Sequence, residues 1–158
     1  MKNTTNIQLS ANQLDNYYEQ ALTLLQELIK TPSFSKEEDQ TAAIIRTFLE
    51  NHQVVTRQKG NNIWATNLQA DPAKPTILLN SHHDTVKPNQ GYTHDPFTPI
   101  TRDGKLYGLG SNDAGGALVS LLLTFLHFYR RQNLPYNLVM AATAEEENSG
   151  KGGVESIL

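Results

Sequence analysis

The chain has 158 residues, 38% of them hydrophobic and 18% charged, which is enough for one domain with a real core and unlike a disordered or membrane-embedded protein. Thirteen basic against sixteen acidic residues leave a formal charge of -3, with no polyanion-binding footprint, so nucleic acid is not an expected partner. There are no cysteines, which excludes disulfides, thiolate-ligated zinc and a thiol nucleophile together; any metal site must use His, Asp and Glu.

The opening Met1–Asn6 has no apolar stretch of the kind a signal peptide needs. Ser10 can cap a helix carrying Leu14, Tyr17, Tyr18, Ala21, Leu22, Leu25, Leu28 and Ile29, a spacing near 3.6, and Thr31-Pro32 forbids continuation past Lys30. Ser35 is expected to open a second helix through Ala42, Ile45, Phe48 and Leu49, with Glu37, Glu38 and Asp39 at its positive end. Short β-type runs follow at 54–58 and 63–67. Asp71-Pro72-Ala73-Lys74-Pro75 then turns the chain into a strand from Thr76 to Asn80.

That strand leads into Ser81-His82-His83-Asp84. Side chains alternate faces along a strand, so His82 and Asp84 point one way and His83 the other. An imidazole on a rigid strand with a carboxylate beside it suits a metal ligand held in one orientation. Residues 85–99 hold three prolines and read as an exposed loop. Asp103-Gly104 supplies the positive φ of a hairpin turn. Gly108 and Gly110 lead to Asn112-Asp113, and an apolar helix runs from about Ala114 to Arg130. Its longest apolar run, Ala117 to Leu126, is broken by Ser120 and Thr124 and is too short for a membrane span, so no membrane partner and a cytoplasmic address are expected. Leu138 to Ala142 reads as a buried strand ending at Glu145-Glu146-Glu147.

Strands alternating with helices indicate an α/β layer fold, in which sites gather at the carboxyl ends of strands. His82, Asp84, Asp113 and the Glu145–Glu147 run all fall at or just beyond such ends. The final segment, from Val154 to Leu158, starts like a helix and stops without a cap, which reads as the front part of a longer protein.

Chemically, one carboxylate such as Asp113 can bridge two metal ions about 3.5 to 4 Å apart. Of adjacent glutamates, one can bind metal while its neighbour acts as general base. His83 reads as a residue of the opposite strand face, His94 as a loop hydrogen-bonder, and His52 and His127 as ordinary helix residues. Gly108-Leu109-Gly110 lacks the third glycine of a dinucleotide loop.

Three blocks in order, Ser81-His-His-Asp-Thr-Val86, Asp103 to Gly116, and Ala142-Thr-Ala-Glu-Glu-Glu147, make the chain resemble the di-zinc amidohydrolases that include acetylornithine deacetylase, succinyl-diaminopimelate desuccinylase and glutamate carboxypeptidase. Asp-Thr-Val after the histidines and Ala-Thr-Ala before the acidic run look most like the acetylornithine deacetylase branch.

The resemblance implies a three-layer catalytic domain, its central, mostly parallel sheet flanked by helices, of which residues 1–158 are the N-terminal portion. It implies His82, Asp113 and Glu147 as metal ligands, Asp113 bridging, with Asp84 orienting His82 and Glu146 the general base. Relatives usually carry Asp-Glu-Glu where this chain has three glutamates; a register slipped by one would give these roles to Glu145 and Glu146. Two zinc ions, or cobalt or manganese, are the implied cofactors, and a small-molecule N-acyl amino acid is the implied substrate. N-acetylornithine or a close analogue is expected, placing the enzyme in arginine biosynthesis, with a dipeptide or succinyl-diaminopimelate as the alternative and a non-catalytic metal-binding module as the reading from another class, against which the presence of Glu146 as a base speaks. The remaining metal ligands and the lid domain, and with them a homodimer of the full-length protein, lie beyond residue 158 on this reading. Lys87, Asn112 and Ala114 depart from the usual pattern without removing a ligand.

Overall fold

The structure, a computed structural model, describes residues 9–158; the reading of Met1–Asn6 lies outside them. Helix α1 spans Ala11–Lys30 and begins with a reciprocal cap: Ser10 accepts the Gln13 amide while the Gln13 side chain accepts the Ser10 amide. Its second half buries Leu24, Leu25, Leu28 and Ile29. The apolar stripe does not stay buried along its whole length, because Leu14 and Tyr18 are 58% and 62% exposed. In the first half Tyr17 stands edge-on to His127 of the long third helix.

Helix α2 spans Asp39–Asn51, later than the expected start at Ser35, and has no side-chain cap. Two strands follow, β1 (Arg57–Lys59) and β2 (Asn62–Thr66), turned at Gly60. The first is shifted from the expected run: Val54 goes into the core and Val55 to solvent. Strand β3 spans Thr76–His82, the hairpin β4 (Ile100–Arg102) and β5 (Lys105–Tyr107) turns at Asp103-Gly104 with φ of 53° and 69°, α3 spans Gly116–Tyr129, and β6 spans Asn137–Thr143.

The four-stranded sheet has the order β1-β2-β6-β3. Strands β3 and β6 are parallel, with Leu79 opposite Met140 and His82 opposite Thr143, whereas β2 and β1 join antiparallel. Parallel neighbours need a crossover, and α3 supplies it. The expected α/β layering is therefore present, with a mixed sheet among the described residues. One sheet face carries Ile63, Ala65, Leu79, Leu138, Met140 and Ala142 and packs against α2 and α3, α1 lying against those two helices, with Ile45, Leu118, Leu122 and Phe125 at the centre of the core. The other face carries Trp64, Leu78, Val139 and Ala141, bordered by Ile157 and Leu158. Because β3 and β6 run side by side in one direction, their carboxyl ends open at one rim of the sheet. Among the described residues no helix is long and apolar enough to cross a membrane.

Candidate metal centre

The rim gathers side chains from three elements. His82 ends β3, Glu146 and Glu147 follow β6, and Asp113 sits in an irregular turn, Ser111–Gly115, that leads into α3. The Asp113–Ala114 peptide is cis. His82 Nε2 lies 3.2 Å from Asp113 Oδ1 and 3.7 Å from Glu146 Oε2. His82, Asp113 and Glu147 each present one ligand atom, and these three atoms lie within 4.8 Å of one another. Residues 31, 34 and 65 positions apart in sequence thus meet at one point.

The other imidazole nitrogen is committed. His82 Nδ1 donates to the Asp84 carbonyl at 3.0 Å and lies 3.3 Å from the Asp84 carboxylate. That fixes the tautomer and turns Nε2 toward the carboxylates, the arrangement a metal-ligating histidine requires. Asp84 is fully buried and accepts three further hydrogen bonds, from the Ser35 hydroxyl at 2.8 Å and from the backbone amides of Glu146 and Glu147 at 3.1 and 3.0 Å.

Electrostatics follow this geometry. The Asp84 hydrogen bond is the largest influence on His82 and, against the cost of burial, raises its pKa from 6.5 to about 9. Burial pushes the Asp84 carboxyl up, but His82, Ser35 and the two amides together outweigh it and bring it down to about 2. Burial and then the neighbouring Asp113 carboxylate raise the pKa of Glu147. A proton on His82 and crowded carboxylates beside it are the features a divalent cation would replace and relieve, so the donor set fits a metal of the zinc type.

The remaining expected positions fall as follows. His83 faces away from this cluster, with Nδ1 2.9 Å from Thr41 Oγ1 and Nε2 donating to the Asn61 carbonyl at 3.0 Å; burial lowers its pKa. His52 is held by the Phe48 carbonyl and Gln20. His94 lies in the loop between β3 and β4. The Glu145 carboxylate is turned toward the 150–153 loop, where Gly152 donates its amide to Oε2 at 3.4 Å. Sequence reading missed Ser35, taken for a helix cap and found on Asp84, and Glu38, taken for a helix-dipole residue and found buried beneath the acidic run. No spacing rule signals either partnership, since both are made across the fold.

The sequence model of peptidase family M20/M25/M40 matches residues 78–158. A succinyl-diaminopimelate desuccinylase of Blochmanniella floridana is 30% identical over 145 residues, 87% of this chain and 38% of that protein. The chain therefore spans about two fifths of the length of the curated relative. Among solved structures, an M20 family metallo-carboxypeptidase from Sulfolobus solfataricus is 27% identical with a TM-score of 0.66, over 81% of this chain and 31% of that one. A dinuclear metal binding peptidase of the same family from Bacillus subtilis aligns over 90% of this chain and 39% of its own with a TM-score of 0.67; at 18% identity it speaks for the fold alone. The expected affinity for acetylornithine deacetylase is corrected here: curated relatives carry the desuccinylase name.

Proposed function

Because the chain belongs to peptidase family M20/M25/M40, we propose that it provides the metal-binding part of a hydrolase that cleaves the amide bond of an N-acyl amino acid. The observation that carries this reading is the meeting of His82, Asp113 and Glu147 from three elements, with Glu146 beside them. His82, Asp113 and Glu147 would hold the metal, with Asp113 shared between two ions. When bound, a zinc-type ion lowers the pKa of water and polarises the amide carbonyl.

The chain's own residues do the rest. Asp84 holds the His82 ring by its Nδ1 and keeps Nε2 free of a competing tautomer. Glu146 accepts the proton of the attacking water at its carboxylate and returns it to the leaving amine nitrogen. Glu145, turned away toward the Gly152 amide, takes no part. This supports the register in which Glu146 is the base and Glu147 the ligand.

The relatives favour an N-succinyl amino acid of the diaminopimelate type as substrate; arginine biosynthesis and N-acetylornithine take second place. Zinc is the proposed metal, with cobalt or manganese the competitors, and the longer protein is proposed to work as a homodimer. The test uses the full-length protein. Glu146→Ala is expected to keep its metal and lose turnover of N-succinyl-diaminopimelate by about 100-fold or more, the upper contribution of a positioned base being roughly 10,000-fold. Undiminished turnover removes the assignment, and preference for N-acetylornithine in the parent protein reverses the substrate order.

A further inference from the structure

Two buried carboxylates lie under the acidic run, and only Asp84 touches His82. The second is Glu38, 0% exposed, immediately before α2. Its Oε1 accepts the backbone amides of Lys36 at 2.7 Å and Glu145 at 3.2 Å, and its Oε2 accepts the Asn61 side-chain amide at 2.8 Å. All its partners are donors, which suits an acceptor-only carboxylate. Asp84 accepts the next two amides, those of Glu146 and Glu147. Three successive peptide N–H groups thus end on two buried carboxylates brought from different elements.

The geometry of Glu145 shows why this matters. Its φ is +55°, in the left-handed region, and Lys36 is likewise at +78°. Such residues persist only where surroundings over-determine them. One oxygen of Glu38 holds both amides. The left-handed turn at Glu145 sends its own carboxylate against Gly150 and Gly152, where a Cβ on either glycine would overlap it. The next two residues consequently face His82 and Asp113. Around Glu38 the anchorage is continuous: Thr41 donates to the Glu38 carbonyl at 3.1 Å, and the Asn61 carbonyl receives His83.

We propose that Glu38 is a positioning residue of the active site: by fixing the Glu145 peptide it sets the direction in which Glu146 and Glu147 leave the sheet, without touching substrate or metal. This rests on the roles given above to Glu146 and Glu147. Removal of a buried group that orients ligands typically costs 10- to 100-fold in metal affinity or activity. Glu38→Ala in the full-length enzyme is therefore expected to lower kcat by about 10- to 100-fold with little change in KM, and to alter the visible absorption of the cobalt(II)-loaded protein. Glu38→Gln keeps an acceptor for both backbone amides, and a flipped Asn61 side chain can meet its new NH2, so it is expected to restore most of kcat and the parent spectrum.

Glu38→Ala with parental kcat and an unchanged cobalt spectrum overturns the proposal, whatever its melting temperature. So does Glu38→Gln that folds yet loses as much as the alanine variant. If Glu38→Ala does not fold, Glu38→Asp decides: the shortened side chain loses reach, and parental kcat in it refutes positioning. Glu146→Ala separates the two readings, since retained turnover there removes the general base itself, while turnover lost there but intact in Glu38→Ala removes only the role of Glu38.

Discussion

Asp84 shows how one side chain can organise a site from below. It is taken fully out of water and compensated by a hydroxyl, two amides and an imidazole. In protein freed of metal by chelation, its pairing with His82 gives a pH-dependent stability whose sign is fixed. The His82 pKa is raised from 6.5 to about 9, so its contribution is complete below 6.5 and is lost as pH rises through 9. The Asp84 pKa is lowered from 3.8 to about 2, so its contribution is complete above 3.8 and is lost as pH falls through 2. The metal-free protein should therefore have a higher urea midpoint at pH 6 than at pH 9.5. Asp84→Asn is expected to cost roughly 3 kcal/mol at pH 6, the penalty of breaking a buried pair, and to flatten that difference. A variant that keeps the parent's slope between the two pH values shows that the slope arises elsewhere. At this scale much was legible: strand alternation alone puts His82 and Asp84 together and sends His83 away. Glu38 was not, because a glutamate before an apolar helix looks the same whether it serves the helix dipole or a distant peptide.

The elements around the site divide into those set locally and those set by partners across the fold. The Asp103-Gly104 hairpin was readable because positive φ restricts residue choice at the turn itself. The start of α2 was not. Ser35 has a cap residue's chemistry, but its hydroxyl is drawn to Asp84, while the flanking Phe34 bridges to Thr85 and Ser33 donates to the His83 carbonyl. Tertiary hydrogen bonds to a buried carboxylate outweigh one helix cap, worth about 1 kcal/mol.

The same division predicts different fates for two glycines. Gly104 is at φ +69° with open space around it, so Gly104→Ala is expected to lose about 1 kcal/mol from strain and leave metal uptake unchanged. A Cβ on Gly152 collides with the Glu145 carboxylate, so Gly152→Ala should lose about 1–3 kcal/mol and also weaken metal binding through the displaced run. Urea unfolding and zinc titration of both variants check this. Equal effects on zinc binding would mean that the glycine loop does not support the Glu145–Glu147 geometry.

As a whole, the chain presents a one-sided sheet with its chemistry at one rim. Alternation of strands and helices foretold the α/β layering, while the parallel β3–β6 pair that brings His82 level with Thr143 answers to the mostly parallel sheet that the family resemblance implied. It could not foretell which sheet face stays open, since Trp64, Leu78 and Val139 read as core residues from either side. The described residues bring together one trio of ligand atoms, those of His82, Asp113 and Glu147. Three protein donors suffice for one catalytic-type zinc with a position left for water, whereas a pair of ions sharing Asp113 needs further donors on each. Of the trio, Asp113 is exposed over 77% of its side chain, so solvent competes for its carboxylate and it gives little preorganisation beyond its contact with His82. Residues 1–158 produced alone are therefore expected to take up at most one zinc per chain, weakly, and to show no amide hydrolysis. Calorimetric titration with zinc, together with a succinyl-diaminopimelate assay of the same sample, measures both. Two tightly held ions, or turnover at the rate of the full-length protein, would mean that this rim is a complete active site and that the donors thought to lie elsewhere are already among these residues.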